Sequence, residues 1–165
     1  MNFTEKNDPT TLGAIRAFEK GLGRNLPESY VDFLLACNGG VPDSTNDYVD
    51  VPGWNELIVN VFLGITKVAE TSLLAHHFSN FSKSIDKQML FIAYDPYSQK
   101  VVMDLRPETY GRIYVRSHVY PPPEPLQIDD AGFTPDDYEE AQLYVPVADS
   151  FEAFLAMLGP EPNLD

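Results

Sequence analysis

The sequence is short of cysteine, of long apolar runs and of secretory features. Its single cysteine, Cys37, excludes an internal disulfide and a multi-cysteine zinc site, and it favours a reducing compartment. The longest unbroken apolar run, Met89 to Tyr94, is far below the ~18 residues that a membrane helix needs. The first residues, MNFTEKNDPTTLG, contain neither segment of a signal peptide. We therefore expect a cytoplasmic protein that does not bind membranes.

Positive charge is also scarce. The 165 residues include 11 Lys and Arg against 25 Asp and Glu, which gives a formal net charge of −14. Arg116 is the last base, and eleven acids follow it. Because phosphate groups are bound by Lys and Arg, this balance excludes nucleic acid and anionic membranes as expected ligands. Such a block of like charge is typical of a solvated surface or of a surface that docks a basic protein, and the sequence leaves both open.

The composition is nevertheless that of a folded chain. Hydrophobic residues make up 44% of the sequence, so the high net charge is not accompanied by the apolar depletion that marks disorder. A chain of this length has one domain as its default. The patterns described below predict a single α+β domain over residues 1–165, with a central, mainly antiparallel sheet flanked by helices.

Helical spacing of apolar residues predicts a helix near the start of the chain. Thr10 or Thr11 can cap it, and Gly21 and Gly23 end it. The predicted core face consists of Leu12, Ile15, Phe18 and Leu22. The predicted solvent face consists of Arg16, Glu19 and Lys20.

A second helix is predicted directly after Leu26. Pro27 takes the first position of this helix, where a missing amide hydrogen costs little. The negative charge of Glu28 in the first turn interacts favourably with the helix dipole. The apolar stripe of this helix consists of Tyr30, Phe33, Leu34 and Cys37. The helix is predicted to end, and the chain to reverse, at three residues that can adopt a positive φ: Asn38, Gly39 and Gly40.

Strands dominate the next part of the chain. The apolar run Glu56–Ile65 predicts one strand buried on both faces, and a helix is expected from about Lys67 to Phe81. Short connections then predict an antiparallel meander of three strands: Met89–Tyr94, Val101–Leu105 and Arg112–Ser117. The last of these strands is predicted to be half-buried, because apolar and polar residues alternate along it. A final helix starts with a capping box formed by Asp149 and Glu152 and ends at Gly159-Pro160.

A proline-rich, acidic insert is predicted at about 119–147. Four closely spaced prolines after residue 120 forbid a central strand or a helix interior, so we expect an extended surface excursion, with a short helix from Thr134 to about Leu143. Its carboxylates are candidates for binding a basic partner: Asp129, Asp130, Asp136, Asp137, Glu139 and Glu140.

A second candidate binding region surrounds the only tryptophan, Trp54. This residue lies near Tyr48 and Asp50 in a stretch that has the composition of a loop. Tryptophan and tyrosine are enriched at interface hot spots, so the stretch is either an aromatic contact for a partner or a cover for the edge of the core.

We looked for catalytic and metal-binding patterns without finding one. His76 and His77 face different sides of their predicted helix, and His118 lies on another element. The acidic stretch that begins at Asp43 lacks the glycine and the bidentate glutamate of a calcium loop. Cys37 lies on an apolar stripe, where a thiol is usually inert. We expect a protein without cofactor or enzymatic activity.

The residues from Ile15 to Pro42 resemble the first two helices of the SUKH superfamily, which includes bacterial toxin-immunity proteins and a fungal cell-wall-synthesis regulator. The FIAYDP strand, the Asp104 strand, GRIYV and the closing SFEAFLAML follow in the family's order, although the usually glycine-rich turn is Pro96 to Gln99 here. The residues that carry the similarity are Leu26, Pro27, Tyr30, Phe33, Leu34, Asn38, Gly39, Gly40 and Pro42.

This resemblance implies a non-enzymatic binder that neutralises a cognate cytotoxic toxin domain by stoichiometric protein–protein interaction. The acidic charge agrees with a basic toxin as partner. An alternative is a regulatory or scaffold protein that binds signalling or cell-wall-synthesis proteins of its own cell. A third reading, a hydrolase, requires a cleft that contains a strongly shifted carboxylate or histidine.

Overall fold

A seven-stranded, entirely antiparallel sheet forms the centre of the computed structural model, which describes residues 1–54, 56–72, 88–97, 99–116 and 144–162. The strand order is β1-β2-β5-β6-β7-β8-β9, and β3 and β4 form a separate hairpin. The α+β class with an antiparallel sheet is confirmed. The strands are β1 Phe3–Lys6, β2 Gly40–Pro42, β3 Tyr48–Asp50, β4 Glu56–Ile58, β5 Val61–Phe62, β6 Met89–Tyr94, β7 Lys100–Asp104, β8 Ile113–Arg116 and β9 Tyr144–Ala148.

The first helix, α1 (Leu12–Leu22), begins and ends as predicted. The Thr11 hydroxyl accepts a hydrogen bond from the Ala14 amide at 3.2 Å, and Gly23 ends the helix in the left-handed conformation at φ 73°. The prediction of a solvent-facing Glu19 was wrong, because this side chain is buried. Its carboxylate accepts hydrogen bonds from the Leu26 amide at 2.7 Å and from Arg16 at 2.6 Å, and so joins α1 to the following loop.

The second helix, α2 (Glu28–Cys37), differs from its prediction at one position: Pro27 is the N-cap residue and not the first helical residue. The turn that ends α2 has the predicted positive φ angles, 51°, 79° and 126°. Gly39 and Gly40 are required there, because a Cβ atom would collide with the carbonyl oxygen of Phe62 or of Glu5 in the adjoining strands. The turn is therefore a structural element that holds β1, β2 and β5 together, and its residues are Asn38, Gly39 and Gly40.

Aromatic rings fill the space between the helices and the sheet. Tyr30 on α2 meets Phe151 of the third helix, α3 (Phe151–Met157), edge to face at 4.8 Å between ring centroids. Phe33 contacts the same ring at 5.1 Å and Phe62 of β5 at 5.3 Å. The two contacts of Phe151 are edge to face, a geometry that stabilises beyond the buried area by about 0.5–1.5 kcal/mol for each pair.

Replacement of Tyr30 by phenylalanine is expected to leave the stability unchanged or to raise it by about 1 kcal/mol. The side chain is fully buried and its hydroxyl has no hydrogen-bond partner among the described residues, so the tyrosine incurs the desolvation cost of that group. Burial accordingly raises the pKa of this phenol far above its ordinary value. Urea denaturation of the two proteins tests the prediction. A loss above about 1 kcal/mol in Tyr30→Phe would indicate a hydrogen bond that the structure does not contain.

The predicted strand Glu56–Ile65 is in fact two strands in different sheets. β4 pairs with β3, whereas β5 pairs with β2 and β6. The break falls at Val59 and Asn60, whose amides donate to the carbonyl oxygens of Asp47 and Tyr94. Apolar side chains continue through the break, which is why composition alone merges the two strands. Of the helix predicted from Lys67, the described part contains a single 3-10 turn, Ala69–Thr71, and the remainder lies outside the described residues.

Strand β8 is buried on both faces, so the prediction of a half-buried strand was wrong. Tyr114 and Arg116, expected to face solvent, are 4% and 9% exposed. The predicted insert is also too long at its end, because residues 144–147 belong to β9, which pairs with β8. Pro146 is tolerated there since β9 is an edge strand whose outer side needs no partner. The earlier part of the insert, including its predicted helix, lies outside the described residues.

Two further connections are fixed by polar side chains. Ser150, and not Asp149, caps α3, and its hydroxyl accepts a hydrogen bond from the Ala153 amide at 3.1 Å. The turn between β6 and β7 lacks glycine, and the buried carboxylate of Asp95 organises it instead. No helix in the described parts of the chain is long and apolar enough to cross a bilayer.

Candidate partner-binding surface

The β3–β4 hairpin brings predicted binding residues onto one exposed face. Because strand residues alternate between faces, Val49 and Leu57 point into the core and are fully buried, while Tyr48 and Asp50 share the opposite face. Asp50 lies directly across the hairpin from Glu56, and both are exposed. Like charges in directly opposed positions destabilise a hairpin, so this pair lowers the stability of the fold. The needs of folding therefore do not explain why two acids stand opposite each other here.

More carboxylates collect at the base of the hairpin. Tyr48 and Gly159 exchange two backbone hydrogen bonds of 3.0 Å each, which bring Glu161 to the same region. The Asp43 carboxylate accepts bonds from Thr45 and Asn46 in the preceding turn. We call this surface the acidic hairpin face, and it consists of Asp43, Asp47, Tyr48, Asp50, Glu56 and Glu161.

The pKa shifts at this face reflect its negative charge. Partial burial and then the charges of Asp50, Glu56 and Glu161 raise the pKa of the Tyr48 phenol. Burial, followed by the charges of Glu161 and Asp43, raises the pKa of Asp47 despite an opposing backbone hydrogen bond. Asp47 therefore stabilises the fold most below the ordinary aspartate pKa, and that contribution is lost as the pH rises through its raised pKa.

Trp54 occupies the loop at the end of this hairpin, but it is partly buried and packs against the hydrophobic core. Its indole Nε1 is buried and has no hydrogen-bond partner in the part of the chain that the structure describes. The geometry agrees with a residue that covers the edge of the core, one of the two readings that the sequence leaves open. Tyr48 and Asp50 are its neighbours in sequence, and on the opposite face of the hairpin from the core Tyr48 is half-buried and Asp50 is exposed.

The second predicted set of binding residues belongs to the insert. All six acids of the insert lie outside the described residues, as do the three histidines: Asp129, Asp130, Asp136, Asp137, Glu139, Glu140, His76, His77 and His118.

The described part of the chain contains no cluster of three or more histidine, cysteine or acidic side chains able to hold a metal ion. Cys37 is half-buried, and its thiol donates a hydrogen bond to the Phe33 carbonyl oxygen at 3.3 Å. Burial raises the pKa of this thiol above its ordinary value, which disfavours the reactive thiolate.

Sequence reasoning missed three residues of functional interest. Glu56 was assigned to a long buried strand, and Glu161 reaches the hairpin only through the pairing of Tyr48 with Gly159, which no local pattern indicates. Tyr97 lies in the β6–β7 turn with 82% of its surface exposed. Its position between two predicted strands was the one available signal that it would be exposed.

The fold defines the class of this protein: an α+β domain in which helices pack beside an antiparallel sheet. The sequence profile of the SMI1/KNR4 family (SUKH-1) matches residues 9–157, nearly the whole chain, and the protein therefore belongs to that family. This match confirms the resemblance to the SUKH superfamily. Among curated proteins, none matches this sequence.

Proposed function

We propose that this protein is an immunity-type binder that neutralises a basic cytotoxic toxin domain through stoichiometric contact rather than catalysis. Its family supports a SUKH-type domain with an immunity or a regulatory role. We favour the immunity role because of the acidic hairpin face, where Asp50 and Glu56 lie opposite each other in exposed positions. Opposed like charges of this kind lower the stability of the free protein, and they interact favourably with a cationic surface that covers them.

We expect these carboxylates to steer the basic toxin electrostatically toward the protein and so to raise the association rate. Complementary charge raises association rates by orders of magnitude at low salt, and the effect fades as the ionic strength rises. The acids of the insert, which lie outside the described residues, remain candidates for the same role. The protein thus captures its toxin quickly, and the contacts formed afterwards block the toxin's active site.

Rescue of growth tests the function itself. Candidate toxin domains with a basic surface are expressed from an inducible promoter, alone or together with the protein. Rescue by one of them, with a stoichiometric complex on gel filtration, would support immunity. No rescue, combined with stable complexes of resident signalling or wall-synthesis proteins, would contradict it and favour the regulatory role.

The double variant Asp50→Asn/Glu56→Gln is expected to be at least as stable as the wild type yet to associate with the toxin about tenfold more slowly at low salt. Removal of the opposed charges relieves repulsion in the hairpin and weakens the steering field. Stopped-flow association and thermal denaturation measure the two effects. A similar loss of rate is expected when four insert acids are reversed to lysine: Asp129, Asp130, Asp136 and Asp137.

The matched control is Asp8→Asn/Asp32→Asn, which changes the net charge equally at two exposed positions on other elements. It should retain most of the association rate. If the control slows association as much as the hairpin variant, then overall charge and not the acidic hairpin face governs capture.

A further inference from the structure

The turn between β6 and β7 is held in one conformation by the buried side chain of Asp95. One carboxylate oxygen accepts hydrogen bonds from the amides of Tyr97 at 2.8 Å and Gln99 at 2.7 Å, and the other accepts one from the Gln99 side chain at 2.7 Å. The Asp95 amide donates to the Gln99 carbonyl oxygen at 3.1 Å. Asp95 is only 3% exposed, so solvent competes little for these bonds. Residues 95–97 and 99, called the tyrosine turn below, are therefore preorganised.

This rigid turn presents an aromatic ring to solvent. Tyr97 is 82% exposed, more than any other exposed large hydrophobic residue that the structure describes. Because the backbone is already fixed, binding through this ring needs little further ordering, which is the main entropic cost of a loop contact. Tyrosine held in this way is typical of binding hot spots, since it offers a large apolar area with few rotatable bonds.

The tyrosine turn lies at the same end of the sheet as the base of the acidic hairpin face. The Val59 amide donates to the Asp47 carbonyl oxygen at 2.6 Å, and the next amide, that of Asn60, donates to the Tyr94 carbonyl oxygen at 2.9 Å. Tyr94 ends β6 and directly precedes the turn. Two consecutive residues therefore connect the acidic surface to the strand that presents Tyr97, and one partner can cover both.

We propose that Tyr97 is a hot spot for a protein partner whose surface combines an apolar pocket with flanking Lys or Arg side chains. The pocket takes the phenol ring, and the bases face the acidic hairpin face. The inference deepens the proposed function, since it describes the binding surface of the same partner. Carboxylates at the base of the acidic hairpin face support a basic partner: Asp43, Asp47 and Glu161. Lys100 lies directly across from Tyr94 at the start of the turn, but its ammonium group stacks over the Phe91 ring at 5.5 Å.

The test uses a random peptide library displayed on phage, panned against the wild-type protein. Selected peptides are synthesised and their affinities are measured for the wild type, Tyr97→Ala and Tyr97→Phe. We expect peptides that combine Lys or Arg with aliphatic residues, an affinity loss of about 30-fold in Tyr97→Ala, and a loss below about threefold in Tyr97→Phe, which retains the ring.

The control is Tyr110→Ala, which removes an exposed tyrosine at the opposite end of β7 and should retain peptide affinity once its folding is verified by thermal denaturation. Equal binding to Tyr97→Ala, peptides without basic residues, or no enrichment at all would each overturn the proposal. Panning needs no toxin, so a failed growth rescue and a failed selection are separate results, and each contradicts only its own proposal.

Discussion

Replacement of Asp104 by asparagine is expected to lower the free energy of unfolding by about 3–5 kcal/mol, because it removes the negative charge that is paired with a buried guanidinium. Asp104 is fully buried and Arg106 is 7% exposed. The Asp104 carboxylate accepts bonds from Arg106 Nε at 3.1 Å and Nη2 at 2.7 Å, and one from the Thr109 hydroxyl at 2.5 Å. Burial opposes the charged guanidinium, but the hydrogen bonds and charge of Asp104 outweigh it and raise the pKa of Arg106.

Urea denaturation measures this effect, with Asp149→Asn as the matched control. Asp149 forms an ion pair with Arg112 at 3.5 Å, but its side chain is 91% exposed, so its neutralisation should change the stability little. The double variant Asp104→Asn/Arg106→Met removes both charges and should recover part of the loss. Equal effects of Asp104→Asn and Asp149→Asn would show that burial adds nothing to the Asp104 ion pair.

Local sequence signals located the three helices and the strands β6, β7 and β8, because each of these depends on neighbouring residues, whereas β1, β2, β3 and β9 were not predicted. The cap at Thr11, the glycines after Asn38 and the apolar run of β6 are read within a few positions. Glu19 shows where this fails: its spacing places it with the polar residues of α1, and nothing local indicates that the Leu26 amide needs an acceptor. The division between β4 and β5 likewise depends on partners elsewhere in the chain.

The candidate site was less predictable than the fold, since a surface is defined by contacts between distant segments. Tyr48 and Asp50 were recognised from composition, but their shared face follows from the register of β3 with β4. Glu161 joins them only through the pairing of Tyr48 with Gly159. The rigidity of the tyrosine turn depends on the burial of Asp95, which resembles an ordinary turn residue in the sequence.

Replacement of Asn38 by alanine is expected to destabilise the fold by about 3–5 kcal/mol, because three partly buried backbone groups lose their partner and each such loss costs about 1–3 kcal/mol. The amide nitrogen of the fully buried Asn38 side chain donates to the carbonyl oxygens of Asp8 at 2.7 Å and Ile65 at 3.0 Å. Its amide oxygen accepts a bond from the Ile65 N–H at 2.8 Å. This side chain thereby joins the end of α2 to two segments about thirty residues away on either side.

Two further variants separate hydrogen bonding from backbone conformation. Asn38→Gly suits the φ of 51° better than alanine does, but it restores none of the three bonds, so most of the loss should remain. Asn46→Ala is the control, since that amide bonds only within the Asp43 turn and its removal should have a small effect. Wild-type stability of Asn38→Gly in urea would contradict the prediction, because conformation alone would then explain why asparagine occupies this turn.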